Sequence, residues 1–99
     1  MEFRQESDLL GELNVPKDAY YGVQTQRAIN NFKISNQHLS SYPEFIKALG
    51  LVKKAAALTN FTLGELPQDI YTAIDQACDE VINGKFDQEF PIDMIQGGA

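Results

Sequence analysis

Few residues of this chain have the right type and setting to do chemistry. The only histidine, His38, lies in the polar stretch Ser35-Asn36-Gln37-His38-Leu39-Ser40-Ser41. Its ordinary pKa near neutrality would suit a general base. No acid stands beside it in sequence, so a solvated loop histidine is the better reading. The only cysteine, Cys78, falls mid-helix between Ala77 and Asp79. A neighbouring carboxylate disfavours the thiolate a nucleophile needs, which makes Cys78 a partly buried structural residue. One His and one Cys cannot assemble a zinc site of the usual kind. Asp75, Asp79 and Glu80 read as an acidic patch on the outer face of the last helix, and Lys53-Lys54 as the wet side of theirs. Carboxylates at such spacings are solvated more often than catalytic. Arg27, after Gln24-Thr25-Gln26, has a guanidinium well shaped to grip a carboxylate. A salt bridge is its plain role and a substrate contact the sharper one. Gly97 and Gly98 would let backbone amides approach an anion, but two glycines carry little weight. Taken singly, these residues name no activity.

The elements that would position them are mainly helical. Gly11 and Pro16 bracket the alternating segment Glu12-Leu13-Asn14-Val15, a short strand or one arm of a hairpin within an otherwise irregular first third. Gln24, Ala28 and Phe32, with Ile29, predict a short helix over 24–32. Ser41-Tyr42-Pro43-Glu44 fits a capping box with Pro43 in the first turn. Behind it Phe45, Leu49, Val52, Ala56 and Leu63 form an apolar stripe. Gly50 costs that helix some propensity unless close packing exploits it. Gly64 suits the left-handed residue after the helix end. A further helix from Pro67 carries Ile70, Ala73, Ile74, Ala77, Val81 and Ile82 and closes at Asn83-Gly84, with Lys85 complementing its negative end. The short connection predicts an antiparallel pair, about 42–63 and 67–83, approaching closely through Ala55-Ala56-Ala57 and Ala73/Ala77. Phe86 to Pro91 reads as an extended return.

The 99 residues allow at most one domain, 1–99, and a net charge of -6 with scattered cations argues against a nucleic-acid surface. No apolar run approaches the roughly 20 residues of a membrane span. The polar, acidic start is unlike a secretory signal, and a lone cysteine suits a reducing cytoplasm. The ending Gln96-Gly97-Gly98-Ala99 resembles the start of a loop, so Ala99 reads as the edge of a piece of a longer chain.

Several blocks in order resemble the aspartase/fumarase superfamily: Glu6-Ser7-Asp8-Leu9-Leu10-Gly11-Glu12, Val15 to Ala28, Asn31-Phe32-Lys33-Ile34-Ser35, Val52-Lys53-Lys54-Ala55-Ala56-Ala57, Ala77-Cys78-Asp79-Glu80-Val81, Gly84-Lys85 and Phe90-Pro91-Ile92-Asp93. The resemblance runs from about Arg4 to Ala99. Ala19-Tyr20-Tyr21-Gly22-Val23 and Gln96-Gly97-Gly98-Ala99 are closer to aspartases than to class II fumarases.

The resemblance implies the helical N-terminal domain of that fold, without its central helical bundle and C-terminal domain. It implies a parent that interconverts L-aspartate with fumarate and ammonia, without an organic cofactor and with divalent-metal activation left open. Family members use a serine base on a mobile loop and build each active site from three subunits of a homotetramer. No catalytic residue falls within this chain. Gln96, Gly97, Gly98 and Ala99 would be the near edge of a substrate loop, and Arg27 a substrate or subunit contact. Alone the chain should be inert and should expose apolar surface that meets the rest of the protein. The alternatives are the corresponding part of a class II fumarate hydratase and, in another class, a stand-alone helical interaction module.

Overall fold

The computed structural model describes residues 1–95. They fall into two compact units, one formed by residues 1–41 with the segment from Gln88 onward, the other by residues 42–87. No described helix is long and apolar enough to cross a membrane.

The first unit opens with an antiparallel hairpin, β1 (Phe3–Asp8) and β2 (Gly11–Pro16), in the register Phe3↔Pro16 through Asp8↔Gly11. The β2 arm matches the expected alternating segment. Its partner β1 is a strand where irregular chain was expected. Arg4, Glu6 and Asp8 point inward and Phe3, Gln5 and Ser7 outward, so the pleat is regular while the usual apolar-in pattern is absent. Val15, from β2, is fully buried. Helix α1 (Val23–Asn31) follows within one residue of the predicted bounds.

The polar stretch after α1 is tied down by a returning segment. Leu39 donates its N–H to Ile92 O at 2.9 Å, Met94 donates to Gln37 O at 2.8 Å, and His38 and Asp93 form a β-bridge. The extended return therefore lies at 92–94. Phe86 to Pro91 instead makes a turn and a 3-10 turn at Asp87–Glu89. That polar triplet offers no apolar side for a strand to bury.

The second unit is a helix pair, α2 (Pro43–Thr62) and α3 (Gln68–Ile82). Phe61 stacks on Tyr71 with ring centroids 4.4 Å apart, Lys54 meets Asp75 and Asp79, and Gly50 abuts Val81 and Ile82. Partners rise in one helix as they fall in the other, so the pair is antiparallel. Pro43 starts α2 as expected, but the predicted capping box is not formed: the cap residue is Tyr42, without a side-chain capping bond.

Both helices end in the same hydrogen-bond pattern. Gly64 donates to Phe61 O and Glu65 to Asn60 O; Gly84 donates to Val81 O and Lys85 to Glu80 O. This Schellman arrangement needs a left-handed residue at the turn, and Gly64 and Gly84 supply φ of 79° and 83°. Lys85 lies beyond the last helical turn, where its Nζ pairs with Glu80 at 2.7 Å.

The packed face of α2 is not the predicted one. Ile46, Gly50 and Ala57 are buried, whereas Phe45, Leu49, Val52 and Leu63 are exposed. On α3 the buried residue is Cys78, with Tyr71, Ile74 and Ile82 half-buried; Ile70, Ala73 and Ala77 are exposed. Close approach is achieved at Gly50 rather than through the alanine runs. A Cβ there would stand 2.9 Å from Ile82 Cγ1 and 3.4 Å from Cys78 O.

Candidate functional site

Within the first unit, the hairpin's inward charges organise everything around them. The Arg4 guanidinium donates to four backbone carbonyls, those of Pro16, Lys17, Ala19 and Tyr21, at 2.7 to 3.0 Å. It also donates to Glu6 at 2.6 Å. One side chain thus fixes the course of the chain between β2 and α1. Glu6 passes the order on by accepting the Val23 N–H at 2.9 Å. Val23 is the first residue of α1, whose N-cap Gly22 has no side chain to offer. A carboxylate from the strand thereby satisfies a first-turn donor and complements the positive end of the helix dipole. Arg4 beside Glu6, with the Val23 amide, holds its carboxyl below the usual range against the opposing effect of burial.

Asp8 and Arg27 make the second tie. Arg27 donates through Nε and Nη2 to both Asp8 oxygens at 2.9 to 3.2 Å, and through Nη2 to Gly11 O at 2.9 Å. Asp8 also accepts the Leu10 N–H, and the Arg27 bonds lower its pKa. The structure gives Arg27 the salt bridge that was its plain reading. Its Nη1 bonds no described residue. Beside it, Ser7, Leu10, Gln24 and Asn31 help line an open groove of about 610 Å³.

Asp93 is the third organiser, and 2% exposed. It accepts from Ile95 N–H and Ser35 Oγ at 2.8 Å, Ser35 N–H at 2.9 Å and Ile34 N–H at 3.1 Å. Those four donors, with the Ile95 amide foremost, hold its carboxyl far below the usual carboxylate range although burial opposes this. Asp93 fixes the chain immediately before Gln96, Gly97, Gly98 and Ala99. These four candidate loop residues lie outside the described ones.

The remaining candidates are structural. His38 is exposed and takes part through its backbone. Cys78 is buried, and burial followed by nearby Asp75 pushes its thiol up, the opposite of activation. Asp75 and Asp79 both pair with Lys54 of α2, at 3.1 and 2.7 Å, Asp79 staying exposed as expected while Asp75 is half-buried. Lys53 is exposed as expected, whereas Lys54 is half-buried beside these carboxylates, and its pKa is raised by Asp79 and then Asp75. Among the described residues no three His, Cys, Asp or Glu side chains gather as a metal site.

Sequence reasoning missed Arg4, Glu6 and Asp93 as organisers. Charges at 4, 6 and 8 share the period of two that places them on one face of a strand, which is the signal that was available. For Asp93 there was little, because apart from the nearby Ile95 amide its donors, on Ile34 and Ser35, stand almost 60 positions away.

The chemistry of this unit is therefore to hold chain in place. A lyase family profile matches residues 11–99. The chain belongs to this lyase family. An aspartate ammonia-lyase from Pseudomonas aeruginosa is 56% identical over 96 residues, 97% of this chain and 20% of that protein. A class II fumarate hydratase from Thermus thermophilus is 48% identical, over 100% of this chain and 21% of its own length. The crystal structure of a fumarate lyase:delta crystallin from Brucella melitensis bound to cobalt superposes with a TM-score of 0.91 at 47% identity, covering 99% of this lyase chain and 21% of that one. This lyase chain spans about one fifth of the length of the relatives it matches.

Proposed function

We propose that this chain is the N-terminal scaffold of an aspartate ammonia-lyase. The observation that carries the reading is the order of identities, 56% to an ammonia-lyase against 48% to a fumarate hydratase.

In the elimination, a base takes the C3 proton of L-aspartate and a C2–C3 double bond forms. The C2–N bond breaks with its electron pair leaving on the amine, which gives fumarate and ammonia. Charge building on the substrate carboxylate calls for preorganised donors. Glu6, Asp8 and Asp93 are committed to structural partners, so this chain supplies position rather than an acid or base. Alone it turns over nothing.

In this reading Gln96, Gly97, Gly98 and Ala99 would belong to the near edge of a substrate loop. Arg27 would meet a carboxylate or another subunit through Nη1. The assembled enzyme is a cytoplasmic homotetramer without an organic cofactor, activated by divalent metal if by any ion. Replacing the matching first fifth of the Pseudomonas enzyme with this chain tests the reading. Fumarate formation from L-aspartate supports it, and a folded but inactive hybrid opposes it.

A further inference from the structure

We propose that one side of the α2–α3 pair is the surface on which the remainder of a lyase polypeptide docks. Phe45, Leu49, Val52 and Ala56 form an exposed stripe on α2, with Phe45 49% and Val52 66% exposed. On α3, Ile70, Ala73 and Ala77 form another. At about 100° per residue each stripe lies roughly 110° around its helix from the packed face. The displacement has the same rotational sense in both helices. Because the helices run in opposite directions, both stripes come to the same side of the pair. The result is one two-helix apolar platform, and its alanines let a further helix approach closely.

A helix apolar around most of its girth is one that buries more than one face. Among the described residues, α2 buries the face carrying Ile46, Gly50 and Ala57. The relatives are about five times the length of this chain, and the elements able to cover the platform belong to that other four fifths. A second copy is the weaker occupant, since each carries a net charge of -6 and like charge opposes self-association. The inference rests on family membership and not on which substrate the parent uses.

The test is thiol labelling of Ala56→Cys and Ala73→Cys, with Thr72→Cys on the opposite side as control and buried Cys78 as background. Each variant is labelled with a maleimide in the 99-residue chain and in the hybrid carrying the rest of the Pseudomonas enzyme. The expected result is labelling at the control rate in the chain alone. In the hybrid, both platform thiols should react about tenfold more slowly or worse, as burial requires a local opening to expose them. Equal rates in chain and hybrid would overturn the inference. So would a discrete two-chain species of the isolated chain whose platform thiols are protected, because the face would then belong to a second copy.

A measurement without the hybrid bears on the same point. Val52→Glu with Ala77→Glu should leave the melting of the isolated chain unchanged; loss of its fold would make the platform part of its own core and overturn the inference. Turnover of the hybrid is read separately, so a failed substrate assignment with protected thiols leaves docking standing.

Discussion

Arg27 on α1 grips Asp8 at the end of β1 with two nitrogens, at 2.9 Å through Nη2 and 3.0 Å through Nε, and Nη2 continues to the Gly11 carbonyl. The fork matters as much as the charge, because a lysine offers a single point donor. Arg27→Ala and Arg27→Lys are both expected to lower the melting temperature of the chain, with lysine recovering the smaller part of the loss. A double-mutant cycle with Asp8→Asn should show coupling between the two positions. Additive effects would remove the tie from the account.

Acid should attack the first unit through its carboxylates. Glu6, Asp8 and Asp93 all have folded pKa values below their ordinary ones. Their contribution is complete above the unfolded carboxylate range, about pH 4. It is lost as pH falls through the lower folded values, because the unfolded chain takes up protons first. Melting temperature should therefore hold from neutrality to about pH 5 and fall below it. Asp93→Asn is expected to lower stability at neutral pH and to flatten the acid decline. An unchanged acid slope in that variant would show that Asp93 contributes little to it.

The Gly50 contact is a packing constraint between α2 and α3. An added Cβ would meet Ile82 Cγ1 at 2.9 Å and Val81 Cγ1 at 3.3 Å. Alanine gains about 1 kcal/mol of helix propensity, while overpacking costs about 1–3 kcal/mol. Gly50→Ala should be neutral to modestly destabilising, and Gly50→Val destabilising by about 2 kcal/mol. Urea unfolding would measure both. In a cycle with Ile82→Ala, which clears the nearest atom, the Gly50→Ala penalty should shrink.

At Gly64 the constraint is backbone alone, since no described residue stands within 4 Å of an added Cβ and φ is 79°. Gly64→Ala should cost about 1–2 kcal/mol, and Gly64→Asn less, asparagine being the next best residue in that conformation. Equal costs for the two would mean that the left-handed turn is not what the glycine provides.

What could be read from the sequence follows from how local each cause is. The helix ends at Gly64 and Gly84 were legible because a single residue type sets the turn. The existence and order of the helices were legible from apolar spacing. Their packed faces were not. Phe45, Leu49 and Val52 make a better stripe than Ile46, Gly50 and Ala57, yet the latter face α3. A helix apolar on several sides does not announce which side meets which neighbour. The hairpin arm β1 was hidden for the reverse reason, as its inward residues Arg4, Glu6 and Asp8 are charged and bury bonds instead of carbon. Asp75 and Asp79 looked solvated because their partner, Lys54, is on another helix. Membership of the lyase family was legible from the order of short blocks, while the roles of Arg4 and Asp93 needed the structure.

The substrate reading is tested most directly by two hybrids carrying this chain in place of the matching segment, one in the Pseudomonas ammonia-lyase and one in the Thermus fumarate hydratase. Fumarate absorbance is followed from L-aspartate with the first and from L-malate with the second. The account predicts turnover of aspartate by the first hybrid and impaired turnover of malate by the second, whose substrate loop would begin with Gly97-Gly98-Ala99. An active malate hybrid beside an aspartate hybrid that assembles but does not react would contradict it and place the chain with the fumarases.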